Sequence, residues 1–280
     1  MSEIAKVEQP VMISSEEYHR HPAISKTTLD LIHSDCHAVK WARVAEVDHD
    51  KLKTLDFGDA MHAICLEPDR LKTDFAVMPE LNLRTNAGKA EKEEFEKENA
   101  HKKIITADDF KQLNLMFDSI MSNKQARDLI EADGVCEGSY FWTDEETGLD
   151  CKCRPDKEIA SRNLLVDVKT TDKLDKFTYS VDDYRYYVQD PFYCDGVGRF
   201  KDQPKMLFLV VQKHINCGRY PCKVMYLPDE AIEYGRIQYR ADLRKYRRFL
   251  DANEPLQQYE ELQMHYRFID TCMESLEVII

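Results

Sequence analysis

Long apolar runs are missing from this sequence. No stretch approaches the ~18 residues that a membrane-spanning helix needs, which excludes an integral helical membrane protein. Ordered cysteine spacing is missing as well. The nine cysteines (Cys36, Cys65, Cys136, Cys151, Cys153, Cys194, Cys217, Cys222 and Cys272) are odd in number and irregular in spacing, and no two form a Cys-x-x-Cys pair. That argues against a zinc ribbon and against a disulfide framework, and it reads as free thiols in a reducing compartment. There is no internal repeat and no low-complexity linker. The opening MSEIAKVEQP lacks the apolar core of a signal peptide, so a cytoplasmic protein is expected. Positive charge is in deficit, with 39 Lys and Arg against 52 Asp and Glu and a net charge of -13. Such a surface does not coat nucleic acid all over, although a local basic patch is enough for a local contact. Residues 231–250 hold such a concentration: Arg236, Arg240, Arg244, Lys245, Arg247 and Arg248 against Glu233 and Asp242.

The 280 residues that are present, 43% of them hydrophobic, are enough for one large core. Residues 14–45 look helical, with Ser25 as a cap and Leu29 and Ile32 on the apolar side. LDFGDAMHAICLEP (55–68) predicts a buried helix through Met61, Ile64, Cys65 and Leu66 that Pro68 terminates. Residues 89–103 are too highly charged for a core and predict an exposed helix or arm. In 108–123, Phe110, Leu113, Phe117 and Ile120 recur at helical spacing, with Thr106 or Asp108 as the cap. After residue 134 the texture becomes that of strands: 135–143, a turn at DEETG, 149–159, and the apolar LLVDVK (164–169) at a central position. An aromatic helix (180–200), strands at 206–212 and 222–227, and the long basic helix follow. This order predicts an α/β fold, a mixed central sheet flanked by helices. One domain is expected over 1–280: a mainly helical part to 134, the sheet and its helices over 135–250, and a tail over 251–280.

The chemistry concentrates in RPDKEIASRNLLVDVKTT (154–171). Asp167 and Lys169 are two apart on a strand and project to one side, while Val168 packs opposite and leaves its carbonyl at the same edge. If the strand carrying Asp156 lies alongside, two carboxylates and a carbonyl converge, a hard-oxygen set suited to Mg²⁺ or Mn²⁺. Charged residues at a strand end also simply face solvent, and Pro-Asp is a common turn, so the spacing alone leaves both readings open. Three further features favour a site. Glu137 lies in the preceding strand. His62 lies on the apolar helix one turn after Gly58, which would admit a close backbone approach. Arg185, Gln189 and Tyr193, at i, i+4 and i+8, would share one helix face and suit contacts to phosphate and base.

GDAMH, Glu137, RPD, DVK and QDPFY, in that order, resemble the PD-(D/E)xK nucleases of the RecB/lambda-exonuclease type. More narrowly, LRTNAGK (83–89), CRPDK, DVKTT, DYRYYVQDPFYCDG (183–196) and CGRYP (217–221) are similar to RecE-type (exodeoxyribonuclease VIII) nuclease domains over residues 13–250. The resemblance implies a restriction-endonuclease-like core and an ATP-independent, metal-dependent exonuclease. Such an enzyme degrades the 5′-ended strand of linear double-stranded DNA and leaves a 3′ single-stranded tail for a RecT-like annealing protein. It implies His62, Asp156, Asp167 and the Val168 carbonyl as ligands of Mg²⁺, with Mn²⁺ able to substitute. Lys169 would be catalytic, and Glu137 and Gln189 would complete the site. Arg84, Arg154, Arg185 and Tyr193 would touch DNA. It further implies a homotetramer ring threaded by DNA, with the 236–248 cluster along the path, in a phage or a bacterium carrying one.

One residue departs from the pattern. Pro191 falls inside the Gln189–Tyr193 helix, so either that helix starts near Asp190 or it is kinked. Two alternatives use the same residues. An iron–sulfur nuclease of the Cas4/AddB type would need Cys36 together with a cysteine trio that Cys217, Cys222 and Cys272 supply poorly. A DNA-binding module with an inactive site would need a missing acid or lysine, and none is missing.

Overall fold

Strand parity in the apolar run 164–171 splits the molecule into two cores. In a computed structural model, the structure describes residues 10–42 and 49–252; the tail expected over 251–280 lies almost wholly outside them, as does Cys272. The N-terminal part consists of α1 (Ser15–Arg20), α2 (Lys26–Ser34), α3 (Ala38–Ala42), α4 (His49–Leu66), α5 (Pro68–Asp74), β1 (Phe75–Met78), α6 (Asn86–Glu98), β2 (Lys103–Thr106), α7 (Ala107–Ser122) and α8 (Lys124–Glu131). Then come β3 (Val135–Cys136), β4 (Tyr140–Thr143), β5 (Asp150–Cys153), β6 (Lys157–Ile159), β7 (Leu164–Thr171), α9 (Phe177–Asp183), α10 (Tyr186–Val197), β8 (Lys205–Gln212), β9 (Cys222–Met225) and α11 (Asp229–Asp251).

Local chemistry sets the helix boundaries. Ser25 caps α2 by accepting from the Thr28 amide, and Thr106 rather than Asp108 caps α7 by accepting from the Asp109 amide. Pro68 ends α4 and, at the first turn of α5, begins the next helix, where its missing N–H costs nothing. The charged run 89–103 forms the largely exposed α6, and Thr85 of LRTNAGK caps it through the Gly88 amide.

The main sheet has the order β3-β6-β7-β8-β9; β7 and β8 are parallel and the other pairs antiparallel. Val166, Val168, Leu209 and Val211 face α4, α7 and α8 in one core. Leu165, Phe208 and Val210 face α2, α10 and α11 in the other, together with Cys151 and Cys153 of β5. The period of two along each strand distributes these residues between the faces. A second, parallel pair, β1 with β2, has no counterpart in the sequence reading. Its four-residue strands are too short to show a period.

Two expected strands prove to be four. Residues 135–143 break at 137–139 into β3 and β4, and 149–159 break at 154–156 into β5 and β6. The outer arms β4 and β5 form a separate two-stranded sheet, while β3 and β6 join the main one. The register runs through the break without a slip. Val135 pairs with Glu158 on one side and Tyr140 with Cys153 on the other, so Glu137 stands opposite Asp156. At this corner Glu137 adopts a left-handed backbone (φ 54) and its amide bonds the Asp156 carbonyl at 3.1 Å. Pro155, opposite Gly138, has no amide to give, which suits it to a gap in the ladder.

The aromatic helix expected over 180–200 is likewise two, α9 and α10, separated by Arg185 in the left-handed conformation (φ 50). Because α10 begins at Tyr186, Pro191 lies inside it and not in its first turn.

Candidate active site

The corner of the hairpin and the centre of β7 meet at one place. Asp156 directly precedes β6, and the register pairing Lys157 with Val166 sets it opposite Asp167. Glu137, just past the end of β3, and Asp156, just before β6, therefore stand abreast of Asp167 on β7. Asp156 Oδ2 accepts from the Val168 amide at 2.7 Å. Asp167 is held from two sides: Gln189 Nε2 of α10 donates to Oδ1 at 2.5 Å, and Lys169 Nζ lies 2.6 Å from Oδ2. Asp167 and Lys169 project together, as a spacing of two on a strand requires.

His62 reaches the same point from α4. Its Nε2 is 2.7 Å from the Val168 carbonyl and must carry the proton that this acceptor takes. Nδ1 lies 3.4 Å from Asp156 Oδ2. Gly58, expected to admit a close backbone approach one turn earlier, has open space around it and plays no such part.

Ligand atoms of His62, Glu137 and Asp156 all lie within 4.8 Å of one another. An imidazole nitrogen and two carboxylates, with the Val168 carbonyl beside them, form a donor set that fits a small divalent cation. Asp167 stands beside that trio, its carboxylate engaged by Lys169 and Gln189. The electrostatics agree with a cation site. Burial raises the Glu137 carboxyl, and Asp156 and Glu67 raise it further. Burial also raises Asp156; His62 opposes this and Asp167 reinforces it. Burial works against the charge on Lys169, but Asp167 and Asp156 outweigh it and hold the ammonium above its ordinary range.

The expected DNA contacts fare differently. Arg185, read as facing a phosphate, is 8% exposed. Its guanidinium pairs with Asp242 at 2.6 Å and Asp30 at 3.2 Å and donates to the Leu29 carbonyl. The reading assumed a helical Arg185 in phase with Gln189 and Tyr193, and its left-handed backbone removes it from that face. Tyr193 is half-buried behind the carboxylates, and burial pushes its phenol up, with Tyr18, Cys153, Asp167 and Asp156 adding to the effect. Arg154 donates to Ser139 Oγ and to the carbonyls of Ile13 and Ser14, with its Nη1 4.0 Å from Glu137. It anchors the N-terminal segment to the corner and faces the acid cluster. Arg84 is exposed in the turn before α6. Of the 236–248 cluster, Arg236 pairs with Asp195 and Glu233, Arg244 with Glu146 and Arg247 with Asp251, and Lys245 donates to the His33 carbonyl.

Two residues beside the site escaped the sequence reading. Tyr186 lays its ring 4.8 Å from Lys169 Nζ; its spacing of three from Gln189 was the available signal. Glu67 is half-buried, acts on Glu137 and pairs with Arg70 at 3.0 Å; its place at the end of the His62 helix was the signal there. The iron–sulfur alternative loses its ligands. Cys36 is buried in the core on one side of the sheet and Cys222 packs against the core on the other, so the two do not converge.

Comparison with known proteins bears on this arrangement. Residues 26–264 match a family described as a PDDEXK-like domain of unknown function, DUF3799. No curated protein matches the sequence. Among solved structures, a "Putative exonuclease" from Eubacterium rectale is similar, with a TM-score of 0.55 at 12% identity, over 93% of this chain and 98% of that one. At that identity the likeness speaks for the fold: a restriction-endonuclease-like core, with a central mixed sheet flanked by helices.

Proposed function

This chain belongs to the PDDEXK-like family DUF3799, and on that footing we propose that it is a metal-dependent exodeoxyribonuclease. It acts 5′ to 3′ on linear double-stranded DNA without ATP and leaves 3′ single-stranded tails for annealing in recombination. The observation that carries the reading is the row Glu137, Asp156 and Asp167 across the neighbouring segments of the sheet, with His62 behind it and Lys169 beside it. The exonuclease character is supported by the RecE-like motifs and by the name of the structural neighbour.

In this reading His62, Glu137, Asp156, Asp167 and the Val168 carbonyl would hold Mg²⁺, for which Mn²⁺ would substitute. The chemistry supplied there by a bound ion would be polarisation of a phosphate oxygen and a lowered pKa for a water. The residues of the chain do the rest. Lys169, kept protonated by its carboxylates, sits where negative charge grows on the phosphoryl oxygens and stabilises it. Asp167 fixes the ammonium in place, and Gln189 fixes Asp167. A RecT-like single-strand annealing protein and a homotetramer ring around the DNA complete the proposal, both carried by the resemblance.

Purified protein with a 5′-labelled blunt duplex tests it. Labelled nucleotide should be released with Mg²⁺ or Mn²⁺ and not with a chelator. Lys169→Ala should lower release by about 10²–10³-fold while leaving DNA binding in place. No release by the wild-type protein from either strand end, with either ion, would end the reading.

A further inference from the structure

Beside the catalytic lysine lies an aromatic surface that none of these roles uses. The Tyr186 ring, 4.8 Å from Lys169 Nζ, packs nearly parallel to Phe208 (5.9 Å, 28°) and Phe177 (5.9 Å, 30°). On the outside it meets Tyr184 at 5.7 Å and 28°. Phe208 is buried, Tyr186 is half-buried and Tyr184 is 60% exposed, so the series of rings runs from the core, past the lysine, into solvent.

The backbone holds this series rigidly. Arg185, between the two tyrosines, takes its left-handed conformation while its guanidinium is locked by Asp30, Asp242 and the Leu29 carbonyl. That reversal turns Tyr186 inward and leaves Tyr184 outside. Lys26 ties the Tyr184 carbonyl to α2. A singly exposed aromatic is ordinary on a protein surface. What distinguishes Tyr184 is a fixed main chain and continuity, through one ring, with the group that meets the phosphate.

We infer that Tyr184, backed by Tyr186, is a stacking platform for an unpaired nucleobase next to the scissile phosphate. This rests on the nuclease reading. A strand with its phosphate at Lys169 carries the neighbouring base past the tyrosines, and stacking accepts any base because every base offers a π-face. An enzyme that removes nucleotides one after another needs that tolerance. Hydrogen-bond readout of base edges would instead favour some bases over others.

The test separates binding from cleavage. A short single-stranded oligonucleotide with a fluorescent adenine analogue at its 5′ end is titrated in chelator, so that nothing is cut. Wild type should quench the analogue. Tyr184→Ala should bind roughly ten- to hundredfold more weakly and lose the quenching. Tyr184→Phe should restore both, since stacking does not use the hydroxyl. Replacing the terminal base by an abasic sugar should weaken wild type to the level of Tyr184→Ala and leave that variant unchanged, a base-dependent signature that a merely structural role does not give. Thermal melting of Tyr184→Ala should match wild type, because the ring is largely outside the core. If wild type releases nucleotides but Tyr184→Ala binds and quenches as wild type does, the platform is wrong and the nuclease stands. If Tyr184→Ala loses the same affinity for abasic and ordinary ends, the platform is also wrong. If wild type neither releases nucleotides nor binds the oligonucleotide, the nuclease reading fails and the platform with it.

Discussion

Asp190 shows how a single residue can tie stability to pH. It is 2% exposed, its Oδ1 accepts only from Cys194 Sγ at 3.5 Å, and among the described residues its Oδ2 has no hydrogen-bond donor. Burial pushes its pKa up to about 7. The folded state therefore holds a proton that the unfolded chain has released, and stability falls as pH rises from about 4 toward 7, then levels. Asp190→Asn removes the burden of a buried charge. It should raise the free energy of unfolding by roughly 2–4 kcal/mol at a pH of about 8 and by little at a pH of about 4.5. Urea unfolding at the two pH values checks this, and an equal gain at both would contradict it. No sequence pattern marks such a residue, because its titration comes from its surroundings. The same holds for Arg185, whose type suggested a phosphate but whose two acidic partners lie 155 and 57 residues away in the chain.

At the scale of elements, the packing of α10 on α11 turns on one glycine. Pro191 has no N–H to offer the Tyr187 carbonyl four residues back. Gly235 of α11 approaches that carbonyl so closely that a Cβ would lie 1.6 Å from the oxygen, with Pro191 Cγ at 3.1 Å. In an exposed helix Gly→Ala gains about 1 kcal/mol. Here the clash with rigid backbone should reverse the sign. Gly235→Ala is expected to cost roughly 3 kcal/mol or more, read as a lower denaturant midpoint. A midpoint at or above wild type would show that the helices can part freely. Gln189 still reaches Asp167, so the proline leaves the site intact. The helices were legible wherever a cap and an apolar period coincided, as at Ser25 and Thr106. The breaks at 137–139 and 154–156 were not, because strand-forming residues continue across both. Only the fold reveals that the chain changes sheet there.

At the scale of the molecule, the order of strands and helices was enough to predict a mixed sheet covered on two faces, because parity and length are local signals. His62, Glu137 and Asp156 come from three separate segments; their residue types and neighbours marked them as candidates, but only the fold brings their ligand atoms within 4.8 Å of one another. The net charge of -13 and the carboxylate pairing of Arg236, Arg244 and Arg247 reduce the positive field on the α11 side. A single copy thus has limited means of holding a polyanion, and enclosure by several copies would compensate by geometry. The protein should sediment as a tetramer at micromolar concentration, and a monomer under those conditions would remove the ring from the proposal.

The uninterrupted register of the bent hairpin makes the reach of the turn 144–148 longer than its size. Asp144 accepts from the Thr147 amide and hydroxyl, and Gly148 closes the turn with φ 66. Since pairing continues without a slip from there to the corner, the length of this surface loop decides which residue of one arm meets which residue of the other. One residue more or less would shift Glu137 against Asp156 by a position and turn one of them to the opposite face of the sheet. The loop is therefore a spacer on whose length the meeting of the two carboxylates depends, although it touches neither of them.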